Sequence, residues 1–210
     1  KKMIFKRGLM LVLSSPSGAG KTSIAKKILS NEKITLSIST TTRKKRKNEV
    51  DGKDYFFTSK ENFIKLVKKN YFLEHANVFN NFYGTPAHYV EKTLNEGKDI
   101  LFDIDWQGTL QLKESKKDDL VTIFVLPPSK NELQRRLISR GQDDEREIQK
   151  RINGSSKEMS HYSEYDYIII NDNLEKSVKN VQMILKAERL KRKRFNDLAS
   201  FVKSLQLKEI

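Results

Sequence analysis

The fold of this chain is decided by residues 9–30, which read LMLVLSSPSGAGKTSIAKKILS. The first five residues, Leu9 to Leu13, form a continuous apolar run, as expected for a strand that is buried on both faces of a parallel sheet. A glycine-containing turn follows, and Lys21 to Ser30 then places its apolar residues at helical spacing, on one face. The stretch therefore predicts a strand, a tight turn and a helix in direct succession.

The turn has the residues of a phosphate-binding loop. It reads Ser15-Pro16-Ser17-Gly18-Ala19-Gly20-Lys21-Thr22, which fits the pattern G-x-x-x-x-G-K-[ST] except that serine replaces the first glycine. In this pattern, backbone N–H groups wrap the phosphates of a nucleoside triphosphate, the lysine neutralises them and the hydroxyl meets Mg²⁺. A turn that binds nothing has no reason to place Lys-Thr at the positive end of a helix. We therefore predict that all eight residues bind the triphosphate and that Thr22 also contacts the metal.

Two acidic residues, Asp103 and Asp105, lie in and just after another apolar run, Ile100 to Ile104. A strand that ends in an acid resembles a Walker B element, whose carboxylate orients Mg²⁺, often through water. The alternative is an ordinary strand end before a turn at Gln107-Gly108. Because a phosphate loop is present, we predict that Asp103 helps to hold Mg²⁺ through water.

Strand-like and helical segments alternate along the rest of the chain. Further strand-like runs lie at Ile100 to Ile104, Val121 to Leu126 and Tyr167 to Ile170. This alternation predicts β-α-β crossovers, and hence an α/β fold with three layers, α/β/α, around a central parallel sheet. We predict a single domain whose core covers about 4–37, 98–127 and 157–195, with insertions at about 38–97 and 128–156.

Local signals also predict several helix ends. Thr85-Pro86 reads as an N-cap followed by proline, which would open a helix that ends at Gly97. Ser129 to Glu132 reads S-x-x-E, a capping box that would open a helix after two prolines. The segment from Asn196 to Ile210 has apolar residues at helical spacing, so we expect it to pack on the core or on a second subunit of a homo-oligomer.

The composition limits the class of protein. The 210 residues include no cysteine, which excludes disulfides, thiolate zinc sites and cysteine nucleophiles. There is no apolar run long enough to span a membrane and no signal-peptide pattern, so we expect a cytoplasmic protein without a membrane partner. The formal charge of +14 suits nucleic acid or small anionic substrates. We favour small anions, because the lysines are spread out and no RNA-recognition or helix-turn-helix signature accompanies them.

A longer motif makes the interpretation specific. Residues 41–57 read TTRKKRKNEVDGKDYFF, which resembles the signature of the guanylate kinase family: T-[ST]-R, a basic residue three positions later, an acid, a glycine and Tyr-x-aromatic. Further similarities to the family lie at Pro16 to Lys21, Tyr83-Gly84-Thr85, Asp103 to Gly108 and from Arg136 to Arg151. The resemblance extends from Gly8 to about Arg189. It implies a P-loop kinase fold with a GMP-binding insertion at 38–97 and a helical lid at 128–156.

The resemblance assigns the acceptor site to the first insertion. The GMP phosphate would be bound by Arg43, Arg46, Tyr55 and Tyr83, and the guanine by Ser39, Glu74, Thr85 and Asp105. The chemistry agrees, because arginines and phenols suit a dianionic phosphate. A carboxylate can accept hydrogen bonds from guanine N1–H and the 2-amino group, whereas the unprotonated N1 of adenine would repel it.

Several of these residues also allow a simpler interpretation. Residues 43–47 could be a solvated basic loop. Tyr55 and Tyr83 could be packing aromatics, and Glu74 beside His75 could be a surface pair. The three histidines of the chain show no catalytic or metal-binding spacing, and we interpret them as structural.

The resemblance assigns the second insertion to the phosphoryl donor. Arg136, Arg140 and Arg151 would clamp the transferring group together with Lys21, and Asn171 would lie near the adenine of ATP. The alternative for the arginines is a solvated or salt-bridged helix face, since several acidic residues lie between them.

The predicted reaction is phosphoryl transfer from ATP to GMP, and to dGMP as a second acceptor, with Mg²⁺ as cofactor. The first alternative is a non-catalytic domain of the same family that binds protein ligands in its GMP cleft. The second is a P-loop kinase that acts on a different base or on a small phosphorylated metabolite.

Overall fold

The computed structural model describes residues 5–78, 80–139 and 145–206. In chain order its helices and strands are β1 (Met10–Ser14), α1 (Lys21–Asn31), β2 (Ile34–Leu36), β3 (Thr40–Thr41), β4 (Phe56–Phe57), α2 (Lys60–Lys68), β5 (Phe72–Val78), β6 (Asn81–Pro86), α3 (Ala87–Asn95), β7 (Asp99–Phe102), α4 (Trp106–Lys116), β8 (Leu120–Leu126), α5 (Lys130–Ser139), α6 (Glu145–Met159), β9 (Tyr167–Ile170), α7 (Leu174–Glu188) and α8 (Leu198–Leu205).

The central sheet is built around β1. Within the described residues it has the strand order β2-β7-β1-β8-β9, and every neighbouring pair is parallel. Parallel neighbours need crossover helices, which cover both faces of the sheet and leave its strands apolar. The carboxyl ends of β1 and β7 therefore lie side by side, and the loops that follow them share one edge of the sheet.

Alternate residues of β1 enter two separate cores. Leu11 and Leu13 pack with Ile24 of α1 and Val181 of α7 on one face. On the other face, Met10 and Val12 pack with apolar residues of α3 and α4. The helices thus form a layer on each side of the sheet, which confirms the predicted three-layer α/β/α fold.

The first insertion contains a second sheet that was not predicted. Among the described residues its strand order is β4-β3-β6-β5, with β3 parallel to β4 and antiparallel to β6. Helix α2 covers this sheet with Phe63, whose ring stacks on Phe72 and Phe82 at centroid distances of 4.6 and 5.5 Å. The sheet escaped prediction because β3 and β4 have two residues each and because a buried position of β5 is Glu74, which breaks the apolar alternation.

One predicted helix end is wrong, and another is confirmed. Thr85 is not an N-cap: it belongs to β6, α3 begins at Ala87, and the cap position is Pro86, which makes no side-chain cap bond. The Thr85 hydroxyl donates to Glu74 instead. Ser129 does cap α5, since its hydroxyl accepts from the backbone N–H of Glu132 at 3.1 Å.

The second insertion supplies α5 and α6, and α6 continues to Met159, past the boundary predicted at residue 156. The segment after Asn196 forms α8, none of whose residues is buried. Among the described residues, no helix is long and apolar enough to cross a membrane.

Candidate active site

The phosphate loop joins β1 to α1 and depends on two glycines. Gly18 and Gly20 have φ angles of +90° and +98°, a region that side chains other than glycine rarely adopt. Gly20 is also the N-cap residue of α1, so the loop's backbone N–H groups lie at the positive end of that helix. Ser15 is not among the described residues with positive φ. The first position of the motif therefore tolerates serine here.

The side chain of Asn171 forms a hydrogen bond with the backbone of this loop. Its side-chain amide donates to the carbonyl of Ala19 at 2.8 Å, and its own oxygen accepts from the Ser177 hydroxyl at 2.9 Å. A Cβ at Gly20 would lie 2.3 Å from the Asn171 amide nitrogen, so the second glycine is required by space as well as by φ. Asn171 was predicted to lie near adenine; in the structure it is buried and contacts the loop backbone.

Arg136 of α5 also contacts the loop. Its guanidinium donates to the carbonyls of Ala19 at 3.3 Å and Asn171 at 3.0 Å, and to the Glu132 carboxylate at 2.7 Å. Arg136 therefore lies beside the loop, and its role in clamping the transferring phosphoryl group stays a prediction. Arg140 lies outside the described residues, and Arg151 lies in α6.

Lys21 and the predicted metal-binding residues lie together. Lys21 forms an ion pair with Asp103, which follows β7, and Thr22 is exposed in the first turn of α1. The structure therefore brings the lysine of the loop and the predicted Walker B acid into contact. Among the described residues there is no cluster of three or more His, Asp or Glu side chains that could hold a metal without a ligand's help.

One cleft joins the loop to the predicted acceptor residues. It has a volume of about 240 Å³. Its wall includes Ser15 and Lys21 from the loop, Asp103, and five of the residues predicted to bind GMP, which are Ser39, Tyr55, Glu74, Tyr83 and Asp105. The remaining three are Thr85, which contacts Glu74, and Arg43 and Arg46, which share the carboxylate of Glu49.

Glu74 is a buried carboxylate at the base of this cleft, with 4% of its surface exposed. It accepts a hydrogen bond from the Thr85 hydroxyl at 2.6 Å. Burial, together with the nearby negative charge of Asp105, raises the pKa of Glu74 to about 7, although the Thr85 bond opposes the shift. A Cβ at Gly108 would lie 2.5 Å from a Glu74 oxygen, so this glycine provides the space for the carboxylate.

Asp105, which was predicted to bind guanine, has a structural role in the fold. Its carboxylate caps α4 by accepting from the Gly108 backbone N–H at 3.1 Å, and it accepts from the Gln107 amide at 3.0 Å. The cap fixes the orientation of the Asp105 side chain, which lines the cleft.

Arg43 lies beside Tyr55 of the cleft wall, and we call Arg43, Arg46, Tyr55 and Tyr83 the rim of the cleft. The carboxylate of Glu49 accepts from the Arg43 guanidinium at 2.6 Å and from the Arg46 backbone N–H at 2.8 Å. The Arg43 guanidinium lies 5.3 Å from the Tyr55 ring centroid, and the Tyr55 and Tyr83 rings meet edge to face at 6.0 Å. Burial raises the pKa of Tyr55, so its hydroxyl stays a hydrogen-bond donor at neutral pH.

Two features of the site were not predicted. The Glu158 carboxylate, in the last turn of α6, accepts from the Ser17 backbone N–H at 3.0 Å. Close by in the sequence, His161 stacks on Trp106 with a centroid distance of 3.9 Å. No pattern along the chain joins these residues, because the two partners of each contact lie far apart in the sequence.

The chain was compared with known proteins. The family model named Guanylate kinase matches residues 7–188. A guanylate kinase of Paramagnetospirillum magneticum is 54% identical over 204 residues, which cover 97% of this chain and 95% of that protein. A guanylate kinase of Rhodospirillum rubrum is 51% identical over 205 residues, which cover 97% and 94%.

Among solved structures, the crystal structure of guanylate kinase from Anaplasma phagocytophilum has a TM-score of 0.80 and 39% identity, and the match covers 97% of each chain. The similarity extends over both insertions as well as the core. The family model covers most of this chain, and relatives of similar length are identical to it at about half of the aligned positions. This chain therefore belongs to the guanylate kinase family.

Proposed function

We propose that this protein transfers the γ-phosphoryl group of ATP to GMP and releases ADP and GDP. The observation that carries the proposal is one cleft whose wall includes both Lys21 of the phosphate loop and the buried carboxylate of Glu74. Near-full-length similarity to proteins named guanylate kinase favours this catalytic role over that of a non-catalytic binding domain.

Glu74 would select the base. In its ionised form the carboxylate accepts from guanine N1–H and the 2-amino group, and Thr85 already holds it in place at 2.6 Å. Ser39 and Asp105 would complete the contacts with guanine. Adenine would leave this buried acceptor without a donor, and such unpaired groups can discriminate strongly between substrates.

The rim would bind the acceptor phosphate. Arg43 and Arg46 would supply charge, and Tyr55 and Tyr83 would supply hydroxyl donors. Glu49 holds Arg43 and the backbone of Arg46 in place before the nucleotide arrives. This pre-ordering lowers the entropy that is lost on binding.

Transfer itself would need positioning and charge neutralisation rather than a protein base, because the GMP phosphate is already anionic near neutral pH. Lys21 would exchange its contact with Asp103 for the donor phosphates. Arg136, which now contacts the loop backbone, would turn to the transferring group together with Arg140 and Arg151.

The residues near the loop also suit Mg²⁺. Thr22 and Asp103 offer a hydroxyl and a carboxylate, and Mg²⁺ prefers oxygen ligands and is commonly held by one or two carboxylates together with substrate phosphates. We propose that Thr22 binds it directly and Asp103 through water. When bound, the ion neutralises charge on the phosphates. The use of dGMP, a cytoplasmic location and self-association stay predictions.

The test is an assay of ADP formation in which ATP is combined separately with GMP, AMP, CMP, UMP and dTMP. We expect turnover with GMP to exceed that with each other acceptor by at least ~100-fold. Lys21→Ala serves as the control, and we expect it to lower kcat by at least ~100-fold while the far-ultraviolet circular dichroism stays unchanged. Equal turnover with GMP and AMP would contradict the proposal.

A further inference from the structure

The phosphate loop contacts a carboxylate of the protein itself, that of Glu158. One Glu158 oxygen accepts from the Ser17 backbone N–H at 3.0 Å. The same side chain lines a cavity of about 200 Å³ that is otherwise formed by loop residues from Ser15 to Thr22. It also lines the cleft that contains Glu74. Glu158 therefore lies where the donor site meets the acceptor site.

A carboxylate at this place competes with phosphate for the same hydrogen-bond donors and positive charge. The loop presents N–H groups and Lys21 to an anion, and a carboxylate satisfies them in part. Two like charges about 4 Å apart repel by about 1 kcal/mol in water and by about 4 kcal/mol near a protein surface. A triphosphate carries several charges, so the triphosphate and the Glu158 carboxylate destabilise each other when both are in the loop.

We infer that Glu158 is an internal competitor of the ATP phosphates, which holds Ser17 in the empty enzyme and must leave when ATP binds. The inference rests on the proposed function only in that ATP occupies this loop. Glu158 lies in α6 seven residues, or about two turns, after Arg151. When ATP displaces Glu158 from Ser17, the helix that carries a proposed catalytic arginine loses one contact with the loop, which links donor binding to α6.

The experiment compares ATP binding to the full chain and to Glu158→Gln, measured by calorimetry without GMP. Glutamine keeps a hydrogen-bond acceptor for Ser17 and removes the charge. We expect the Kd for ATP to fall by roughly 3- to 10-fold, which is the effect of removing one partly screened like charge. Glu164→Gln is the matched control, because Glu164 is exposed and lies only six residues further along the chain; we expect its Kd to be unchanged.

A second titration separates repulsion from a purely structural effect. Inorganic tripolyphosphate carries the phosphate chain without the nucleoside, so Glu158→Gln should tighten its binding by the same factor as that of ATP. An unchanged or weaker affinity of Glu158→Gln for both ligands overturns the inference. If the unaltered chain binds neither ligand, the assignment of the loop to ATP fails instead, so the two failures are distinguishable.

Discussion

Glu74 shows how a single residue can link fold and specificity. Its carboxylate is buried in the second sheet and accepts a hydrogen bond from Thr85. It lies against Gly108, where any side chain would collide with it. The fold thus orders this carboxylate in advance, as the proposed guanine site requires. Neither the alternation of β5 nor the capping pattern at Thr85 indicated that Glu74 and Thr85 would form a hydrogen bond. Both are polar residues at buried positions, which normally hold apolar side chains.

We expect Glu74→Gln to raise the KM for GMP by roughly 10- to 100-fold, since a hydrogen bond to a charged group contributes about 1.5–3 kcal/mol. The KM for ATP should change by less than about twofold, because Glu74 belongs to the acceptor half of the cleft. Steady-state kinetics with each substrate varied in turn measures both values. A GMP KM equal to that of the unaltered enzyme would show that guanine binds elsewhere.

The raised pKa of Glu74 predicts a pH effect on the stability of the empty enzyme. Because its pKa is about 7 in the fold and about 4.3 in an unfolded chain, the folded state binds more protons between these values. The free energy of unfolding therefore falls as pH rises through this window. Glutamine does not titrate, so the free energy of unfolding of Glu74→Gln should not fall in this way. The difference in free energy of unfolding between Glu74→Gln and the unaltered protein should therefore increase by about 1–3 kcal/mol from pH 5 to pH 8.

Urea unfolding of both proteins at pH 5, 6, 7 and 8, without nucleotide, measures this difference. Glu164→Gln, at an exposed position, should show no such trend. A constant difference between Glu74→Gln and the unaltered protein at all four pH values would contradict the raised pKa.

At the scale of elements, the phosphate loop is held by Asn171 and α5 as much as by its own sequence. We expect Gly20→Ala to lower the free energy of unfolding by about 1–3 kcal/mol and to abolish ATP binding, since φ is +98° and a Cβ would meet the Asn171 amide. Gly154 is the matched control, because it lies in α6 and a Cβ there meets nothing within 4 Å.

Gly154→Ala should therefore raise the free energy of unfolding by about 0.5–1 kcal/mol, as expected for alanine in a helix interior. Urea unfolding and ATP calorimetry on both variants test the pair. The interpretation fails if Gly20→Ala binds ATP as tightly as the unaltered chain.

The elements differ in how far the sequence predicts them. β1 and α1 were predicted to within one residue at each end, because burial on both faces produces an unbroken apolar run and the loop pattern marks the junction. β3 and β4 were not predicted, because two-residue strands have no measurable period. The contact of Glu158 with Ser17 was not predictable either, since it joins residues 141 positions apart.

At the scale of the whole molecule, the formal charge of +14 favours anionic substrates wherever the lysines lie. Three exposed lysines, Lys44, Lys45 and Lys47, lie beside the proposed phosphate-binding arginines of the rim. Fields from exposed charges are screened within about 10 Å at 0.1 M salt, so lysines at the rim should attract GMP more strongly than distant lysines do.

We expect replacement of Lys44, Lys45 and Lys47 by Glu to lower kcat/KM for GMP by about 10-fold at ~20 mM salt and by less than about twofold at ~500 mM salt. The control replaces the exposed Lys179, Lys186 and Lys203 by Glu, which changes the net charge equally in α7 and α8, outside the insertion that contains the rim. Steady-state kinetics over this salt range separates the two cases. Equal losses in both variants would mean that total charge, rather than its position at the rim, governs the capture of GMP.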